Sequence, residues 1–317
     1  MTSKLTTLES FDLLHISGPD TDRFLQGQLT CNMTRLTSDR ALPGAYCNLK
    51  GRVIADFLAI RHGTDVLLLT QTGMAALLQQ ALEKYAVFFK TTMSIVTQDW
   101  RVVALTASTD DTAPAWTADA GPYHCRILDS GLAVNLPGPD LRAVVLWPAQ
   151  VSCPIDRIAF ETGTQNDWEL ACVRAGMAHL TPAQSGLYTP QLLNHDINGT
   201  VDFKKGCYTG QEVVARMHYR GTAKKRLYLA TAYPEASDTV ADPEASSVID
   251  NEGKICGNVL QLALNEDGAW LMLVTLPCSL ADQAVAGERQ VSLSRVADAN
   301  SPTASKPIPV KVSELKY

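Results

Sequence analysis

Cys207 is the residue whose neighbours most plainly suggest chemistry. It follows Lys204, Lys205 and Gly206 and precedes Tyr208-Thr209-Gly210-Gln211-Glu212. Thr209 and Glu212 have the T-x-x-E spacing of a capping box, ahead of the apolar Val213, Val214 and Met217. A helix is therefore expected from near Gly210 to near Gly221. A cysteine just before the positive end of a helix, and beside two lysines, is favoured as a thiolate, the form that attacks electrophiles or handles sulfur. The competing reading is a buried cysteine serving as a small apolar residue, and these residues alone leave both open.

The same segment stands out in charge. From Lys204 to Arg226 it holds Lys204, Lys205, Arg216, Arg220, Lys224, Lys225 and Arg226 against Glu212 alone, a net +6 in 23 residues. The whole chain of 317 residues carries −6, so the remainder carries −12. A sequence pI near 5.5 excludes a nucleic-acid coat over the whole surface, but leaves room for one anionic partner such as tRNA at this stretch. A solvated helix face would also explain a charge run, though not the interleaved Gly206, Tyr208, Gly210 and Gln211. The eight cysteines include no C-x-x-C pair and no zinc-finger spacing. His195 and His218 lie nearby without diagnostic spacing, so no metal site is expected. No run approaches the ~18 apolar residues of a membrane span, and the first ten residues lack a secretory h-region. Free thiols in a reducing cytoplasm, away from any membrane, are the expectation.

Elements must hold these residues in place. Strand patterns occur at Leu13–Ser17, Gly51–Ile60, Val66–Thr70, Met93–Thr97, Arg101–Leu105, Cys125–Leu128, Leu132–Leu136 and Ala143–Leu146. Helical spacing links Phe24, Leu25 and Leu29, and again Met74 to Tyr85. A third helix is expected from Thr164, where Asp167 completes a capping box and Trp168, Ala171, Cys172 and Ala175 form a stripe. From Leu227 the pattern is strands only, at Leu227–Ala232, Lys254–Leu264, Trp270–Leu276, Gln290–Val296 and Ile308–Val312, with a Ser/Pro/Ala-rich loop at Ala297–Pro307. No helix is expected there, and a small barrel is.

Lys205-Gly206-Cys207-Tyr208-Thr209-Gly210-Gln211-Glu212, continuing through Val213-Val214-Ala215-Arg216, resembles the K-G-C-Y-x-G-Q-E signature of the YgfZ-type folate-binding proteins, relatives of the glycine-cleavage aminomethyltransferases. Phe24 to Thr30, Lys50-Gly51-Arg52, Arg174-Ala175-Gly176 and Pro190-Gln191 agree, so the resemblance spans nearly the whole chain. It implies an α+β cloverleaf of three domains like that of the aminomethyltransferases. Two interleaved ferredoxin-like α+β domains, 1–48 with 153–226 and then 49–152, would precede a C-terminal β-barrel at 227–317. It implies that tetrahydrofolate or a folate derivative binds, with Phe11 and Trp168 at the family's aromatic contacts, an aromatic face suiting a flat ring. Phe11 stands where the family commonly has tryptophan, which removes an N–H donor. By sequence alone Trp168 reads rather as an ordinary core residue on an apolar stripe.

The resemblance further implies an accessory protein for iron–sulfur cluster assembly or repair, serving client enzymes such as a tRNA methylthiotransferase, with Cys207 as the candidate catalytic residue and the chain a monomer. Two alternatives stand beside it. One is a folate-dependent one-carbon transferase or demethylase. The aminomethyltransferases carry a catalytic aspartate in the stretch matching Val66 to Leu82, where this chain has no Asp or Glu. They also have an Asp-Asp pair at Ala55-Asp56 and a pterin-binding glutamate at Arg174. Loss of those carboxylates removes the acid–base groups of that chemistry, and Asp56 reads as a polar residue at a strand end. The other alternative is a tRNA-binding module. The basic run also suits the anionic glutamate tail of folate.

Overall fold

The structure, a computed structural model, describes residues 3–107, 117, 121–235, 242–295 and 307–317. The chain begins with a short strand, β1 (Lys4–Thr7), followed by β2 (Phe11–Ser17) and helix α1 (Thr21–Gln26). Strands β3 (Leu42–Cys47), β4 (Val53–His62) and β5 (Asp65–Gln71), helix α2 (Met74–Ala86) and strand β6 (Thr92–Ile95) come next. With β2 they make a five-stranded antiparallel sheet in the order β3-β4-β5-β2-β6. The chain then builds β7 (Trp100–Ala107), β8 (Cys125–Leu128), β9 (Gly131–Leu136), β10 (Leu141–Pro148) and β11 (Glu161–Thr162). These form a second sheet, β11-β1-β7-β10-β9-β8, in which β1 pairs antiparallel with β7 and parallel with β11. The first sheet is thus inserted between two neighbours of the second, as interleaved α+β units require. Sheet membership divides the chain elsewhere than the expected 48/49 boundary. β3 and β4 lie on its two sides and are hydrogen-bonded neighbours, because the apolar residues of both complete one sheet.

Period-two alternation places the strands' side chains on both faces of each sheet. Leu14, Ile16, Val66 and Leu68 face α2, whose Met74, Leu78 and Leu82 are buried against them. Leu13 and Leu67 face the other way, toward Val102, Ala104, Val144 and Leu146 of the second sheet. Helix α3 (Gln165–Arg174) adds Trp168 and Cys172, one turn apart, to this space between the sheets. Its expected capping box is present: Thr164 N donates to Asp167 Oδ2 at 2.7 Å, while Asp167 N donates back to Thr164 Oγ1 at 3.2 Å. Helix α4 (Gln211–Arg220) precedes the last unit.

That unit is a closed barrel of β12 (Lys225–Ala232), β13 (Ser246–Ile249), β14 (Ile255–Leu264), β15 (Trp270–Pro277), β16 (Val291–Arg295) and β17 (Ile308–Ser313), ordered β12-β15-β14-β13-β16-β17. Its own core centres on Trp270, Met272 and Val274. The expectation of strands only is corrected by α5 (Cys278–Val285), which follows β15 directly after Pro277 and buries Leu280 and Ala281. The loop expected at Ala297–Pro307 lies, Pro307 apart, outside the described residues. Among the described residues no helix is long and apolar enough to cross a membrane.

Candidate functional site

A cavity of about 800 Å³, its open mouth included, lies between the two sheets. Phe11 at the start of β2 and Trp168 on α3 both line it, with Asp56 of β4, Arg142 and Val144 of β10, Tyr123, His179 and His195. The two aromatic residues singled out from sequence are thus brought together across 157 residues. Asp56, Tyr123, Arg142, His179 and His195 come from five separate places in the chain.

Two polar pairs organise this wall. Arg142 is 1% exposed, and its Nη2 donates to Cys172 Sγ at 3.0 Å while Nη1 donates to the Pro137 carbonyl at 2.8 Å. Its guanidinium carbon sits 4.9 Å from the centre of the Trp168 ring, so the cation lies against an aromatic face. Asp56 is not at a strand end, as its sequence suggests, but in the middle of β4 and buried. Its Oδ1 accepts from Leu180 N at 2.9 Å, and its Oδ2 lies 3.0 Å from His179 Nδ1. Burial opposes charge on His179, but the Asp56 carboxylate and the neighbouring Cys172 thiol outweigh it and push the imidazole up to about 10. His179 is therefore a cation at neutral pH.

The wall also holds unused hydrogen-bonding capacity. Tyr123 Oη, Arg142 Nε and His195 Nδ1 are buried and have no hydrogen-bond partner. Burial raises the Tyr123 phenol to about 12 and lowers His195 to about 4, so both are neutral at pH 7. Buried polar groups without partners are uncommon in native proteins and each calls for an explanation, such as a ligand. Here all three belong to one cavity already walled by Phe11 and Trp168. A flat heteroaromatic ring with polar edges fits this combination: aromatic faces to pack on, and donors with no other acceptor.

The signature segment lies elsewhere. Cys207 is exposed and does not line the cavity. Lys205 turns inward, and its Nζ donates to the carbonyls of Gln26, Leu29 and Cys31 at 2.8, 2.5 and 2.8 Å. It also sits 5.2 Å from the Tyr208 ring centre, and Tyr208 is buried. One of the two lysines expected to activate Cys207 therefore serves to anchor the loop. The expected Thr209–Glu212 capping box does not form. Gly210 is the N-cap in the left-handed region (φ +83°), Thr209 Oγ1 donates to Gln28 instead, and Gln211 Oε1 accepts from Tyr208 N. A side chain at Gly210 would collide with the Asn48 carbonyl, and one at Gly51 with Val213. The Lys50-Gly51-Arg52 turn and the signature thus interlock through two glycines. Gly206, Glu212 and Arg216 are exposed around them.

No protein-family model matches the chain. Among curated proteins it is 28% identical over 278 residues to the tRNA-modifying protein YgfZ of Colwellia psychrerythraea, covering 86% of this chain and 85% of that one. It is 27% identical to the tRNA-modifying protein YgfZ of Escherichia coli O157:H7, covering 98% of this chain and 94% of the other. The chain resembles the YgfZ proteins along most of its length. Among solved structures, the glycine cleavage system aminomethyltransferase T of Bartonella henselae superposes with a TM-score of 0.73 at 14% identity, over 99% of this chain and 86% of that one. The three-unit fold is that of the aminomethyltransferases.

Folding neutralises part of the basic segment. Arg226 forms a two-point ion pair with Asp196 at 2.8 and 2.9 Å, and Lys205 is buried. Lys204, Arg216, Arg220, Lys224 and Lys225 remain exposed, opposed in the segment only by Glu212. Beside them Phe203 stacks on His218 with ring centres 3.7 Å apart, and Tyr219 meets both edge-on. Arg174, expected from the resemblance at the aminomethyltransferases' glutamate position, is outside the cavity, where it pairs with Glu266 at 3.0 Å. Sequence reasoning missed Arg142, His179 and Tyr123 as site residues. Arg142 did leave a signal, a lone cation heading the apolar run Ala143–Trp147.

Proposed function

We propose that this chain is a folate-binding accessory protein of the YgfZ kind, which supports iron–sulfur enzymes such as a tRNA methylthiotransferase. Tetrahydrofolate or a related folate would be held in the cavity between the sheets. The observation that carries this reading is the convergence of Phe11 and Trp168 on one cavity whose wall bears three unpartnered buried polar atoms. Phe11 and Trp168 would flank the flat ring. Tyr123, Arg142 and His195 would meet its polar edge. Cys207, exposed on the signature loop, would meet a client protein rather than the folate. Its role would be to handle sulfur or iron at that contact, and an exposed thiol suits such exchange.

The test has two readouts. In a variant with Trp168 as its only tryptophan, tetrahydrofolate should quench the fluorescence saturably, and no change on titration would sink the folate assignment. In a strain lacking its own YgfZ-type gene, the wild type should restore tRNA methylthiolation and Cys207→Ala should not. Restoration by both would remove Cys207 from the function.

A second reading has an observation of its own. The outer face of α4 combines five exposed cations nearby with the Phe203–His218–Tyr219 stack, the pairing of charge and aromatic faces that binds single-stranded nucleic acid. On this reading tRNA binding is salt-dependent, with log affinity falling by roughly 0.7 per phosphate contact for each unit of log salt concentration. Five contacts would give a slope near −3.5, by order of magnitude. A flat salt dependence would sink this reading, and competition by polyglutamyl folate would assign the face to another anion.

A further inference from the structure

Arg142 is a buried cation in search of a counter-ion. A guanidinium cannot shed its proton in a protein, and an uncompensated buried charge is strongly destabilising. No carboxylate pairs with Arg142 among the described residues; its contacts are the Pro137 carbonyl, the Trp168 ring and Cys172 Sγ at 3.0 Å. Tyr123 feels the same charge, but burial keeps that phenol neutral. The Cys172 thiol is the acidic group hydrogen-bonded to the cation. His179, itself fixed at 3.0 Å by Asp56, neighbours the same sulfur. With that thiol ionised, Asp56, His179, Cys172 and Arg142 would form a chain of alternating charge with no net excess.

We propose that Cys172 is held as a buried thiolate between Arg142 and His179, and that it is a second reactive-cysteine site, open to small soft electrophiles through the cavities on either side of Trp168. Access comes from the far side. Cys172, His179, Trp168 and Gln71 line a neighbouring cavity of about 990 Å³, open solvent included, and the last three also line the cavity between the sheets. Burial alone would favour the neutral thiol, and the charges of Arg142 and His179 reverse that preference. The acidic groups facing the same space are Glu169, which burial drives toward its neutral form, and Asp242 and Glu244 on the far wall. Neither Asp242 nor Glu244 forms an ion pair with Arg142 or His179. The inference is independent of the folate reading, since it rests on the wall and not on the occupant.

The test is native alkylation with iodoacetamide, read peptide by peptide by mass spectrometry. The sulfur forms its bond to carbon as the carbon–iodine bond breaks, iodide leaves with the bonding pair, and no proton is released because the thiol has already lost it. Between about pH 6 and 8 an ordinary thiol speeds up roughly 100-fold, whereas the rate at Cys172 should stay flat. A rate at Cys172 that rises with pH like an ordinary thiol, or no labelling there at all, would overturn the proposal. A second measurement needs no reagent. At about pH 6.5 an ordinary cysteine is ~99% protonated, so the folded wild type should show the ultraviolet absorbance of one thiolate per chain. Arg142→Met and Cys172→Ser should each abolish it, and Cys207→Ser should keep it. Absorbance equal in the wild type and Cys172→Ser would refute a thiolate at this position.

Discussion

Replacing Lys205 with methionine is expected to cost about 3 kcal/mol of stability, taking roughly 1 kcal/mol or more for each buried carbonyl left without a donor. The lysine is 7% exposed, and its three ammonium hydrogens match the three carbonyls of Gln26, Leu29 and Cys31 that surround it. Burial lowers its pKa to about 8, so at neutral pH most molecules keep all three donors. Methionine fills similar space and offers none. Urea unfolding of the wild type and Lys205→Met measures the difference, and midpoints that coincide would show that the carbonyls find other partners. The consequence for function is direct. A signature lysine that looks like an activator of Cys207 is a tie between the signature loop and the segment after α1. Loss of function in Lys205→Met should then track loss of fold.

The second large effect concerns Asp56. Asparagine keeps an acceptor for Leu180 N but removes the negative charge opposite His179. Breaking a buried ion pair costs about 3 kcal/mol, at the low end here because the His179 side chain is 29% exposed. The pH dependence identifies the cause. The folded-state pKa of His179, about 10, lies above its ordinary 6.5. The stabilisation is therefore complete below about pH 6.5 and is lost as the pH rises through about 10. Asp56→Asn should be most costly near pH 6 and nearly harmless near pH 10. A deficit that does not change with pH would mean that the histidine is neutral in the folded protein.

Much of the fold is legible in the sequence, because it rests on local signals. Thr164 and Asp167 announce the start of α3, and alternating apolar residues mark the barrel strands. The exceptions are local competitions decided by distant partners. Thr209 has the spacing of a cap, but Gln28 takes its hydroxyl and Gly210 turns left-handed against Asn48. Helix α5 is eight residues long and buries few side chains, too short a period to read after a strand and a proline. The site divides in the same way. Phe11 and Trp168 come from likeness to a known family. Arg142 with Cys172, and Asp56 with His179, join residues 30 and 123 positions apart, and no motif spans such distances.

The insertion of one sheet within the other sets an order of assembly. The five-stranded sheet is drawn from residues 11–95 without interruption, so it can form as soon as that stretch leaves the ribosome, as N-terminal units generally do. β1 must wait, since its partners are β7 and, beyond residue 160, β11. Long closures of this kind slow folding, because chain entropy is lost before the contacts form. The two walls of the cavity are therefore made at different times: Phe11 and Asp56 early, Arg142 and Trp168 later, His195 last. Until the second wall closes, Leu13, Ile60 and Leu67 present an uncovered apolar sheet face. A nascent chain of this protein has its greatest exposure to misassociation in that interval, at the sheet face that later walls the cavity.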